Sequence, residues 1–224
     1  AGLVRIYTPK DNREILQTLL PEAIITAYDE FNKEEVLKLL KWADGVCIGS
    51  GIGRSTTSEK LLRTVIEYVD VPCLIDADGL NLLAKKRLYS TLGRQYVLTP
   101  HLREMSRLSG KSVQEIADDM TSAVMGQQAG ATIVLKDART LVSDGDWLYI
   151  NLSGNSALST GGSGDVLSGM IGGLLAQGCT QRTAATLAVY MHGLTAEQYC
   201  ESAPPHCMLA RDILEMIPKI GGNS

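Results

Sequence analysis

No run of apolar residues in this chain of 224 approaches the roughly 18 that a membrane-crossing helix needs, which argues against an α-helical membrane protein. The opening residues, 1–14, carry neither a charged leader region nor the apolar length of a secretory signal, so a soluble, cytoplasmic protein is expected. No CxxC pair occurs. The five cysteines, Cys47, Cys73, Cys179, Cys200 and Cys207, are odd in number, widely spaced and not grouped with the three histidines as a zinc site requires; reduced, mostly buried thiols are expected. No stretch carries one sign of charge. With a net charge of -4 and the signs interspersed there is no basic stripe to fit a nucleic-acid groove, and no nucleic-acid partner is expected. No linker rich in Pro, Gly or Ser divides the chain and no internal repeat is found, which points to one domain.

What is present is a core and an alternation. At 45% hydrophobic content the chain is long enough to bury a substantial interior. Short β-rich runs at 3–7, 23–26, 45–48, 72–76, 95–98 and 132–135 are separated by segments of helical period. That order predicts βαβ units and a mainly parallel sheet covered on both faces. The runs 139–143 and 146–150, joined across Asp144-Gly145, read as a late antiparallel hairpin. Beyond them, 163–177 and 181–200 carry the apolar stripes of packed helices.

The strongest local signal is the run from Asn155 to Asp165, Asn-Ser-Ala-Leu-Ser-Thr-Gly-Gly-Ser-Gly-Asp, which leads directly into a helical pattern. Four small residues, Gly161 to Gly164, let backbone approach a ligand closely. The helix start that follows offers unpaired N–H groups and partial positive charge, an arrangement suited to a phosphoryl group. Asp165 then falls in the first helical turn, where the dipole favours its ionised form and a role as proton acceptor. The alternative is a plain tight turn followed by an ordinary first-turn acid. A second cluster, Gly49-Ser50-Gly51-Ile52-Gly53, follows a strand, but Arg54 breaks the dinucleotide fingerprint; its glycines either turn the chain or line a cleft at a parallel strand end. Gly110-Lys111-Ser112 ends like a phosphate-binding loop, yet Met105 occupies the place of the leading glycine, so that reading fails.

Polar residues gather at the ends of several strands. Asp76, Asp78 and Asn81 follow the run 72–76, where capping of the next helix competes with ligand contact. His101 and Glu104 follow 95–98, three residues apart on one helical face; a structural hydrogen-bonded pair and a cleft role are both open. Lys136 follows 132–135, placed either to reach a phosphate or to lie in solvent. His192, on an apolar helix, reads as a satisfied core histidine, and His206 has no evident partner.

Taken in order, the segments 49–53, 76–81, 99–105, 134–136, 155–178 and His192-Gly193, together with Ala1-Gly2-Leu3-Val4, resemble the ADP/ATP-dependent NAD(P)H-hydrate dehydratases of the ribokinase-like superfamily over nearly the whole chain. The resemblance implies a three-layer α/β/α fold and phosphoryl transfer from ADP or ATP to the ring hydroxyl of the S epimer of NADH or NADPH hydrate. Elimination of the phosphate then restores the dinucleotide. It implies Asp165 as the base, with Gly162, Ser163 and Gly164 stabilising the phosphoryl charge. It also implies Gly51, Gly53, Asp78, Asn81, His101 and Glu104 around the hydrate. Lys136, Asp137, Ala138, Arg139 and Thr140, with Asn155, Thr160, Gly161 and Gly164, would contact the nucleotide. Magnesium on the phosphates and a homo-oligomer, a tetramer, are implied as well. Asp137 stands where the family usually has glycine, which adds a negative charge beside the nucleotide. The family carries a further strand and helix before the segment within which Ala1 lies, so the expectation is one ribokinase-like domain over 1–224 without that first strand and helix. Two other functions are kept beside this one: a kinase for a vitamin precursor such as hydroxyethylthiazole or a hydroxymethylpyrimidine, and a nucleotide-binding module without catalysis.

Overall fold

The computed structural model describes residues 1–126 and 130–220. Six short strands, β3 (Val46–Ile48), β4 (Cys73–Ile75), β5 (Tyr96–Leu98), β6 (Thr132–Leu135), β7 (Leu141–Ser143) and β8 (Leu148–Ile150), form one sheet in the order β3-β4-β5-β6-β7-β8. The first four run parallel, and β7 and β8 return antiparallel as the expected hairpin at one edge. Two earlier strands, β1 (Arg5–Pro9) and β2 (Ile24–Tyr28), pair in parallel as a separate two-stranded sheet. Side chains tie this unit to the rest: the Arg5 guanidinium lies 4.4 Å above the ring of Trp42, and Tyr7 packs on the main core.

Side-chain alternation along the strands divides the core into two layers. Cys73 and Ile75, Tyr96 and Leu98, Ile133 and Leu135, and Leu141 face one way and join the larger cluster. It is covered by α2 (Lys33–Trp42), α3 (Thr56–Tyr68), α4 (Ala77–Lys86), α5 (Leu102–Ser109), α6 (Val113–Asp118) and α7 (Met120–Met125), after a short α1 (Arg13–Leu19) between β1 and β2. The alternate residues Leu74, Val97, Val134 and Val142 face the other way, onto α8 (Ser163–Leu175) and α9 (Gln181–Cys200). A last helix, α10 (Ala210–Met216), packs through Ile213 beside Ala196 of α9. Because both faces are buried, the strands read as nearly continuous apolar runs, as parallel sheets require.

Local chemistry sets where these helices begin. Ser55 caps α3 by accepting the Ser58 N–H, and Ser112 with Glu115 forms a capping box at the start of α6. The helix α9 covers 181–200 as its apolar stripe predicts, while α8 stops at Leu175, two residues short of the expected end, where the Gln177-Gly178 turn takes over. No helix among the described residues is long and apolar enough to cross a membrane.

Candidate active site at the parallel strand ends

The carboxyl ends of β3, β4, β5 and β6 and the amino end of α8 meet at one place, the position where open α/β sheets bind ligands. Gly49 ends β3 with φ of 130°, and a Cβ there would collide with the Asp76 carbonyl oxygen, so only glycine fits against β4. Above Gly51 and Gly53 the space is open, with no atom within 4 Å of where a Cβ would stand.

Asp76 ends β4 and is only 3% exposed. One carboxylate oxygen accepts the Ala77 N–H at 2.8 Å and the Lys136 ammonium at 3.1 Å; the other accepts the Ser168 hydroxyl at 2.6 Å. Capping of α4 thus falls to Asp76, with Ala77 held in the left-handed region at φ of 49°. Asp78, one residue into the helix, accepts from Arg54 Nε at 2.8 Å. Asn81 accepts from Arg107 at 2.8 Å and donates to the Ala77 carbonyl, so both residues are engaged with protein partners.

His101 caps α5. Its Nδ1 accepts the N–H groups of Arg103 and Glu104 at 3.1 and 3.3 Å, and Glu104 returns a bond to the His101 N–H at 3.0 Å, closing a capping box. The ring remains about half exposed, with Nε2 3.6 Å from the buried Glu104 carboxylate. A single parallel bridge sets His101 beside Lys136. From there the exposed loop of Asp137, Ala138 and Arg139 runs to Thr140; Arg139 donates to the Leu152 carbonyl at 3.0 Å, and the Thr140 carbonyl accepts the Asn151 N–H at 2.9 Å.

Asn155 accepts from the Ala157 N–H at 2.9 Å and donates to the Ala196 carbonyl at 3.2 Å, anchoring the loop to α9. Beyond it, Gly162 takes φ of 89° at the N-cap of α8, and a Cβ there would press to 3.0 Å on the Ala210 methyl. The Ser163 N–H closes a turn onto the Thr160 carbonyl at 3.3 Å. The amides of Gly164 and Asp165 have no acceptor among the described residues. A helix of 13 residues therefore presents two free donors and the positive end of its dipole. The space above Gly161 is open, and the Lys136 ammonium lies 3.3 Å from where a Cβ on Gly164 would be, adding a full positive charge to the same place. The exposed carboxylate of Asp165 stands at the rim, bordering an apolar groove of roughly 520 Å³ lined by Val166, Gly169, Met170, Leu214 and Ile217.

The Ser163 side chain turns inward. Its hydroxyl lies 3.3 Å from Nε2 of His192, and that nitrogen donates to the Ser163 carbonyl at 3.1 Å. Burial, aided by the nearby Lys136 charge, lowers the His192 pKa to about 4, so the ring is neutral at pH 7. Among the described residues no three His, Cys, Asp or Glu side chains are grouped to cage a metal ion.

Neither Ser168 nor the partnership of Asp76 with Lys136 is evident in the sequence. The first had a faint signal, since Ser168 lies four residues after Gly164 on one helical face. The second joins positions 60 residues apart, which no local pattern reveals.

A free helix terminus, a lysine and a carboxylate gather at the parallel strand ends of a fold shared with ribokinase-like proteins. A structure of a ribokinase-like superfamily protein from Enterococcus faecalis V583 superposes with a TM-score of 0.87 at 28% identity, covering 98% of this chain and 76% of that one. The Bacillus subtilis ADP/ATP-dependent NAD(P)H-hydrate dehydratase, co-crystallised with ATP/Mg2+ and soaked with CoA, gives a TM-score of 0.81 at 26% identity, covering 98% and 80%. The family model described as NAD(P)H-hydrate dehydratase matches residues 1–219, and the chain belongs to that family. The ADP-dependent (S)-NAD(P)H-hydrate dehydratase of Neisseria meningitidis is 39% identical over 84% of this chain and 66% of its own length. The chain spans 44% of the length of another relative, the bifunctional NAD(P)H-hydrate repair enzyme of Moorella thermoacetica, at 34% identity.

Proposed function

We propose that this chain dehydrates the S epimer of NAD(P)H hydrate at the expense of ADP, giving AMP and phosphate. The observation that carries the reading is the start of α8, where the free amides of Gly164 and Asp165 and the Lys136 ammonium converge beside open space. In this reading the Asp165 carboxylate takes the proton of the ring hydroxyl while that oxygen attacks the terminal phosphorus of the nucleotide. The turn through Gly162, Ser163 and Gly164 receives the charge that develops on the phosphoryl oxygens, and AMP leaves. The ring C–O bond of the phosphate ester then breaks, phosphate departs and a ring proton is lost, which restores the reduced dinucleotide.

Gly51, Gly53 and the half-exposed ring of His101 hold the hydrate, with Asp78, Asn81 and Glu104 setting the walls around them. Lys136 to Thr140 and Asn155 to Gly164 hold the nucleotide. Magnesium on the phosphates offsets their charge when bound. We assign the protein to the cytoplasm and to a homo-oligomer, a tetramer, and treat 1–224 as one ribokinase-like catalytic domain. ATP is the alternative donor.

The test is recovery of NADH absorbance from its hydrate with ADP or ATP, run with phosphate and nucleotide analysis. Recovered NADH with one phosphate released per turnover supports the reading. A stable phosphorylated alcohol identifies a kinase instead, and ADP binding without turnover at any enzyme concentration identifies a binding module.

A further inference from the structure

Asp76 does more than a cap requires. A cap needs one acceptor for one N–H, and asparagine serves as well as aspartate. Here a complete carboxylate is 3% exposed and accepts from three parts of the chain: the Ala77 N–H, the Lys136 ammonium at the end of β6, and the Ser168 hydroxyl in the second turn of α8. A buried ion pair is seldom the most stable way to fill such a space, so stability alone does not account for it. Its geometry does have a consequence: Lys136, held from one side by Asp76, faces Gly164 on the other. Ser168 lies one helical turn beyond Gly164, so the same carboxylate fixes both the ammonium and the helix whose free amides it adjoins.

We propose that Asp76 is a positioning residue for phosphoryl transfer: through Lys136 and Ser168 it sets the ammonium against the first turn of α8 and keeps it there during the reaction. The inference rests on the phosphoryl-site reading above. Its distinguishing consequence is a split between binding and rate. While paired with Asp76, Lys136 is partly neutralised and attracts the resting nucleotide weakly; its fixed position matters when charge moves onto the transferring oxygens. Removing the Asp76 charge therefore strengthens ground-state nucleotide binding and slows transfer. Simple structural damage would weaken both.

The experiment is a double-mutant square of wild type, Asp76→Asn, Lys136→Met and the double variant, with ADP affinity read by calorimetry and kcat by NADH recovery. Asp76→Asn is expected to tighten ADP binding about threefold and to lower kcat about tenfold or more. In the Lys136→Met background the same change should alter kcat by no more than about twofold, because Asp76 acts on the transfer step through the lysine. Weaker ADP binding in Asp76→Asn, an unchanged kcat, or kcat effects that multiply in the double variant would overturn the proposal. Should Asp76→Asn fail to fold, Ser168→Ala removes one of its bonds: kcat about threefold lower with ADP affinity unchanged supports the role, and unchanged kcat refutes it. A wild type that neither binds ADP nor turns over removes the phosphoryl-site reading and this inference together. Normal wild-type turnover with multiplying effects removes the inference alone.

Discussion

His192 makes the stability of this protein depend on pH in a way that can be isolated. In the native state burial holds its pKa near 4, whereas an unfolded chain titrates near the ordinary 6.5. Above pH 6.5 the ring is neutral in both states and the native arrangement keeps its full stability. As pH falls from 6.5 toward 4 the unfolded chain takes up a proton that the native state refuses, so stability is lost across that window. A gap of about 2.5 pH units corresponds to a loss on the order of 3 kcal/mol. The comparison is His192→Gln, which cannot titrate but keeps an amide able to donate to the Ser163 carbonyl. Urea unfolding of both proteins at several pH values between 7 and 4 gives the two curves, and carboxylate titrations common to both cancel in the difference. Wild type should lose on the order of 3 kcal/mol more than the variant over this range. Parallel curves would refute the claim that a neutral, buried imidazole secures the start of α8.

Other expectations concern the strand ends and the helix start. Gly49→Ala forces a methyl into the Asp76 carbonyl at a positive φ, so it should destabilise the fold by about 3 kcal/mol or more, read by urea unfolding. Gly164→Ala places its methyl 3.3 Å from the Lys136 ammonium and into the space over the free amides; ADP affinity by calorimetry should fall about tenfold or more while stability changes little. Asp137→Gly removes an exposed negative charge from the loop proposed to hold the nucleotide and should tighten ADP binding by a few-fold, roughly five at most, with the gain shrinking in high salt. Arg54→Ala breaks a pair whose arginine is more than half exposed, and unfolding should register a loss of about 1 kcal/mol at most.

The layered fold was legible because periodicity is a local property. The run 132–135 is the strand Thr132–Leu135, and the helix over 181–200 matches to the residue. Strand ends are less so: β1 runs Arg5–Pro9 rather than 3–7, since apolar character marks Leu3 and Val4 but the residue-to-residue register with β2 starts at Arg5. Nor does composition reveal that β1 and β2 pair apart from the other six strands, because sheet membership depends on hydrogen bonds between distant segments. At the site, the small-residue bend and the acid after it could be read directly, as both lie on one short stretch. The competition at Asp76 and Asp78 could not be resolved: which carboxylate caps α4 depends on Lys136 and Ser168, 60 and 92 positions away. His192 is the satisfied core histidine that its apolar helix suggests, but its partner, the backbone of Ser163, lies outside any sequence pattern.

The central claim is that α8 points its free amides at a migrating phosphoryl group while Asp165 takes the proton of the alcohol. The most direct measurement is the pair of ADP affinity and NADH-recovery rate in Asp165→Asn. ADP binding should stay within a few-fold of wild type while turnover falls by about a thousandfold or more. Turnover within a few-fold of wild type in that variant, with ADP still bound, would contradict the claim.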